Sequence, residues 1–194
     1  MPKVGMEPIR KAALVRATIT EIGRAGSLDV TVSQIARRAG MSAALAHHYF
    51  GSKEQIFLAA MRHILSIYGA EVRGALVAAG PDPRARLEAI VRGSFTRTNF
   101  RREVVSAWLN FYTLAQTVPA ARRLLTVYQR RLHSNLMHAL VPLAASRAQP
   151  IAEALAAMID GVYIREALAS GAPDGMAAAD FVIGFLDREL GAAP

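Results

Sequence analysis

The chain of 194 residues has no cysteine, so neither a disulfide nor a thiolate-built metal site can contribute to its stability or chemistry. Tryptophan occurs once and aromatic residues make up only 7%, which makes any local gathering of aromatics informative. No apolar run approaches the roughly 18 residues that cross a bilayer. The opening Met1-Pro2-Lys3-Val4-Gly5-Met6-Glu7-Pro8 carries no apolar signal core behind its charge. No contact with a membrane is expected, and the expected location is the cytoplasm. The chain also lacks a nucleophile paired with a base, a set of metal ligands and a glycine-rich phosphate loop. Neither catalysis, a metal nor a cofactor is expected. Alternating strand patterns are missing as well.

What is present is apolar, helical and basic. Hydrophobic residues make up 53%, many of them alanine, which favours closely packed helices. The formal charge is +8, and it is unevenly placed. Residues 1–53 hold eight Lys and Arg against three Asp and Glu, whereas residues 54–194 hold fifteen against twelve. A basic leading quarter is what an approach to nucleic-acid phosphates requires.

The expected fold class is all-α, with about nine helices, three in an N-terminal headpiece (residues 1–53) and six in a body (residues 54–194). The first helix opens at Glu7-Pro8, where proline suits the first helical position, and buries Leu14, Ala17, Ile22 and Ala25. Thr31 with Gln34 forms a capping-box pattern, and Val32, Ile35, Ala36 and Ala39 give the next helix its buried face. Gly40 can end that helix and Ser42 can cap another at once. Two short helices across such a turn make a helix-turn-helix, with small Ala36 and Ala46 at the crossing. Ser52 and Gln55 repeat the capping signal and launch a long helix through Ile56, Ala60, Ile64 and Ile67. Behind it, helices are expected over residues 83–99, 101–116, 119–140, 150–170 and 175–190, with Pro142 and Pro150 bracketing a polar connection.

The string Ile35-Ala36, Ala39-Gly40, Ser42, His48-Tyr49-Phe50 and Lys53 resembles the DNA-binding signature of TetR-type repressors. Met1 to Met6, Ala107-Trp108-Leu109-Asn110-Phe111, and Ile159-Asp160-Gly161 through Arg165 are similar to the BetI-type branch, the choline-responsive repressors of glycine-betaine synthesis genes. The resemblance implies a homodimer paired through the last two helices, bound to a near-palindromic double-stranded operator and released by a small effector such as choline. It also places Thr31, His47, Tyr49 and Lys53 as phosphate contacts, for which their donor groups are suited. The family often has tyrosine where His47 stands and threonine or isoleucine where Leu45 stands, so the operator sequence read by this chain is open.

Ser42, Ala43 and Ala44 are small enough to let the recognition helix sit close to the bases. The alanines can touch a thymine methyl but make no bidentate base hydrogen bond, so direct readout is sparse. Adjacent His47 and His48 point about 100° apart on a helix, which argues against a shared metal. Arg10, Lys11, Arg37 and Arg38 either meet phosphates or form a solvated face. In the body, Trp108, Phe111 and Tyr112 can share one side of a helix, and Tyr128, Tyr163 and Asp160 lie on later ones. Together they form either ordinary core or an aromatic cage for a quaternary ammonium ion, with Asp160 as counter-charge. Asp160 alternatively pairs with Arg165 or caps a turn. The alternative to a choline response is regulation by another apolar or cationic effector, such as a drug, lipid or metabolite. A filled, pocketless body would instead fit an architectural DNA-binding protein.

Overall fold

The computed structural model describes residues 5–191; Met1 to Val4, part of the opening segment compared with the BetI-type branch, lie outside them. The described residues form nine α-helices and one 3-10 turn, with no strand among them. The first three helices are α1 (Met6–Ala25), α2 (Val32–Arg38) and α3 (Ala43–Phe50), followed by the long α4 (Lys53–Ala79). Then come α5 (Pro83–Ser94), α6 (Arg102–Thr117), α7 (Pro119–Ala144), α8 (Ala148–Leu168) and α9 (Gly175–Leu190).

Local chemistry accounts for most boundaries. The Thr31 hydroxyl accepts from the Gln34 N–H at 3.1 Å while the Gln34 side chain accepts from the Thr31 N–H at 2.6 Å, a complete capping box. Ser42, Ser52 and Asp82 cap α3, α4 and α5 through Leu45, Gln55 and Ala85. Gly40 takes a φ of 71° between α2 and α3, a conformation that would strain a residue with a Cβ. Ala36 and Ala46 are fully buried where those helices meet. Leu14, Ala17 and Ile22 are buried as expected, but Ala25 is exposed at the end of α1.

Beneath the helix-turn-helix lies an ion pair that no periodicity reveals. Glu21 of α1 is 4% exposed at its side chain and accepts from Arg38 of α2 and from Arg24. Arg38 is thus committed to holding α2 against α1 and does not belong to a freely solvated face. The Arg38 hydrogen bond holds the Glu21 carboxyl below its ordinary value of 4.5. Glu21→Gln is expected to cost about 1–3 kcal/mol and to lower the thermal midpoint by several degrees. Because a depressed carboxyl stabilises the fold above pH 4.5 and loses that contribution as pH falls through its folded value, the difference between parent and variant should shrink in acid. Calorimetric scans at pH 7 and pH 4 check both parts.

Two boundaries depart from sequence expectation. The helix expected over residues 83–99 ends at Ser94. There the Gly93 carbonyl accepts from the Asn99 side chain at 3.0 Å and the Ser94 carbonyl from the Tyr163 hydroxyl. Side chains from the following loop and from α8 satisfy the carbonyls that another helical turn would otherwise use. Conversely, α7 runs past Leu140 and includes Pro142, and a 3-10 turn at Ala145–Arg147 replaces the expected longer connection. Pro142 sits exposed in the last turn, where only the hydrogen bond to the exposed His138 carbonyl region is lost, while Leu136, Ala139 and Leu140 anchor the helix in the core.

Candidate DNA interface and ligand cluster

The helix-turn-helix presents the N-terminal half of α3 outward. Ser42 and Ala44 are exposed and Ala43 and Leu45 half-buried, while Ala46 faces the core. The Ser42 hydroxyl accepts the α3 capping bond, which leaves its own proton free to donate. Thr31 is exposed, and its hydroxyl donates to Gln34 at 3.0 Å, so meeting another acceptor exchanges that bond while both bonds of the capping box stay in place. His47 and His48 are exposed; His47 Nδ1 lies 3.1 Å from the Gly51 carbonyl, and the His48 ring tilts against Tyr49 at 5.6 Å. The Tyr49 phenol accepts from Arg10 at 3.4 Å, with Lys11 6.0 Å from the ring centroid. Thus α1 brings two cations to the end of the recognition helix. Lys53 is half-buried, its ammonium 5.4 Å from the Phe57 ring. Arg37 remains exposed.

In the body, helices distant in sequence converge on Trp108. Its ring centroid lies 4.7 Å from Tyr128, 5.6 Å from Tyr112 and 5.9 Å from Tyr163. Tyr128 in turn packs edge-on to Tyr68 at 5.5 Å. Tyr68, on α4, is a member that the sequence pattern does not nominate; it follows Phe57, Met61 and Ile64 on the buried face of that helix, where its position alone reads as core. Phe111 is fully buried and meets Trp108 edge-on at 5.9 Å, so it supports the tryptophan from the core side of α6. Asp160 accepts from the Tyr128 hydroxyl at 2.9 Å. Arg165 is exposed and forms no ion pair with Asp160 among the described residues.

The electrostatics of this cluster follow from burial. Desolvation raises the Asp160 carboxyl above its ordinary value, with the phenols of Tyr128 and Tyr112 pulling partly back. Burial pushes the Tyr68 phenol up to about 12 and those of Tyr112, Tyr128 and Tyr163 upward as well. The tyrosines therefore stay neutral, and Asp160 is the acid group hydrogen-bonded into the cluster. Aromatic faces around a single carboxylate suit a cation that has few hydrogen-bond donors.

The same α6 that carries Trp108 touches the headpiece. A Cβ on Gly23 of α1 would lie 2.6 Å from the Glu103 backbone, and the Asn110 amide donates to the Gly26 carbonyl at 3.3 Å. Any displacement of α6 is felt directly by α1.

Comparison with known proteins agrees with this layout. Residues 14–60 match the family described as bacterial regulatory proteins, tetR family, and residues 83–191 match the BetI-type transcriptional repressor, C-terminal family. The chain belongs to the TetR family, in its BetI-type branch. It is 49% identical to the HTH-type transcriptional regulator BetI of Brucella melitensis biotype 2, covering all of this chain and 98% of that protein. It is 50% identical to the BetI regulator of Agrobacterium fabrum, covering all of this chain and 94% of that one. This BetI-type chain is a DNA-binding transcriptional regulator of the TetR repressor family, not an enzyme. Solved structures share its fold at lower identity. A TetR regulator from Haloarcula marismortui has a TM-score of 0.81 at 18% identity, covering 93% of this chain and 98% of that one. A regulator from Saccharomonospora viridis, crystallised in complex with choline, has a TM-score of 0.77 at 21% identity, covering 92% and 95%. No helix among the described residues is long and apolar enough to cross a membrane.

Proposed function

We propose that this BetI-type regulator is a homodimeric repressor that leaves a near-palindromic operator when choline binds, and that it controls glycine-betaine synthesis genes. The observation that carries the effector assignment is the gathering of Tyr112, Tyr128 and Tyr163 around Trp108, with Tyr68 against Tyr128 and the half-buried carboxyl of Asp160 accepting from Tyr128. A trimethylammonium group is held by ring faces and a counter-charge and asks for no acceptor. The choline complex of the Saccharomonospora viridis regulator is consistent with the same chemistry on the same fold.

In this reading the headpiece of residues 1–53 meets DNA and the remainder binds effector and partner. Ser42, Ala43, Ala44 and Leu45 enter the major groove, and Thr31, His47, His48, Tyr49 and Lys53 flank it on phosphates. The Arg10 and Lys11 side chains beside Tyr49 extend the phosphate-facing surface. Choline parts the closed ring cluster, displaces α6, and changes the headpiece angle through the Gly23–Glu103 seam.

The test uses a duplex that the protein itself selects from a random library. Fluorescence anisotropy should show release by choline and no release by 3,3-dimethylbutanol, which keeps the shape and lacks the charge. Release by both compounds at equal concentration would remove the role of the cation. Release by neither would move the chain to regulation by a different apolar or cationic effector.

A further inference from the structure

A cavity of about 340 Å³ opens between α4 and α7, and Tyr68 and Tyr128 form part of its wall. Leu65, Val72 and Leu132 supply an apolar interior, and the lining contains no carboxylate. Arg73 and Arg131 stand at the same cavity, and neither takes part in an ion pair among the described residues. The Arg73 guanidinium is turned back along α4: a Cβ on Gly69, itself part of the lining, would lie 3.2 Å from its Nη1. The charge here is therefore opposite to that of the Trp108–Asp160 cluster, although the two places share Tyr68 and Tyr128.

We propose that this cavity is a second ligand site, selective for a small amphiphilic monocarboxylate and independent of the choline assignment. Two uncompensated guanidiniums over an apolar chamber match a ligand with an anionic head and a short hydrocarbon body. Arginine also offers paired N–H donors to the two oxygens of a carboxylate. Burial holds both phenols of the tyrosine wall in their neutral form, Tyr68 raised to about 12 and Tyr128 raised as well, and the Asp160 carboxyl bound to Tyr128 lies outside the lining. The same two arginines repel a quaternary ammonium ion, so the site discriminates against choline by charge. The volume lies near the lower end of ligand pockets, roughly 300–1,000 Å³, which restricts the hydrocarbon to a short chain.

Octanoate is the probe, titrated calorimetrically into the full-length protein beside octan-1-ol and octylammonium. Octanoate should bind once per subunit, at least tenfold more tightly than the alcohol, with no saturable binding of the ammonium. Arg73→Gln with Arg131→Gln should weaken octanoate by tenfold or more while leaving the helical circular-dichroism signal unchanged. Gly69→Leu, which fills the mouth, should abolish the binding. Equal affinity for octanoate and octan-1-ol in the parent protein would overturn the charge selectivity without recourse to any variant. So would undiminished octanoate binding by the double glutamine variant. Competitive displacement of octanoate by choline would merge the cavity with the aromatic cluster and overturn its independence.

Discussion

Phe181→Asp combined with Phe185→Asp should turn a micromolar dimer into a monomer and weaken operator binding by two orders of magnitude or more. The apolar side chains of α8 and α9 divide into two sets. Ile151, Leu155, Ala178 and Val182 are buried within their own chain, where they join the helices into the body. Phe181 remains 56% exposed, together with Leu168, Met176 and Ile164, and Phe185 and Met158 are half-buried. An exposed apolar patch of this kind suits the proposed dimer interface, where a two-fold contact would let one patch satisfy both copies. Two aspartates placed there would face their symmetry mates in the proposed dimer, so desolvation and like-charge repulsion would act twice. Operator affinity falls with the dimer because the second headpiece binds at an effective concentration that the first provides, a gain of roughly 10²–10⁴. Sedimentation velocity and operator anisotropy give the two readouts. The buried Val182 and Leu186 are untouched, so the variant should keep its helical content. A parent protein that sediments as a monomer at micromolar concentration would remove the proposed interface.

The second large effect is expected at Asp160. Asp160→Asn keeps the side-chain volume and an acceptor for the Tyr128 hydroxyl but deletes the charge. At about 5 Å and an effective dielectric near 20, a carboxylate is worth about 3 kcal/mol to a cation, or about a hundredfold in Kd. Trp108→Leu should cost less, about 0.5–2 kcal/mol for the lost ring face, because the remaining tyrosines still line the cluster. The pH dependence separates charge from packing. Burial raises the Asp160 carboxyl above its ordinary value, so in the parent choline affinity should decline as pH falls through that raised value and the carboxylate is neutralised. The Asn variant should show no such decline. Calorimetric titration of choline from pH 8 down to the acid limit of folding distinguishes the two, and a parent that is pH-independent over that whole range would take the counter-charge role away from Asp160.

Much of the local architecture was legible in the residue order because its causes are local. Capping boxes, a positive-φ glycine and the 3.6-residue period act over a few positions, so Thr31, Gly40, Ser42, Ser52 and Asp82 mark their boundaries without reference to the rest of the chain. The basic bias of the first 53 residues needs no coordinates either. Tertiary contacts decided what sequence spacing leaves open. The end of α5 depends on Tyr163, 69 residues away from the carbonyl it meets. Arg38 is claimed by Glu21 across 17 residues, and the same arginine would read as a solvated cation on α2 alone. Asp160 and Trp108 sit on separate helices, and helical spacing cannot say whether two separate faces meet. Their joining through Tyr128, the recruitment of Tyr68 from α4, and the division of α8 and α9 into inner and outer apolar sets follow from how the described helices pack. Close packing selects one mutual arrangement of faces, and that arrangement is a property of the whole core, not of any one helix.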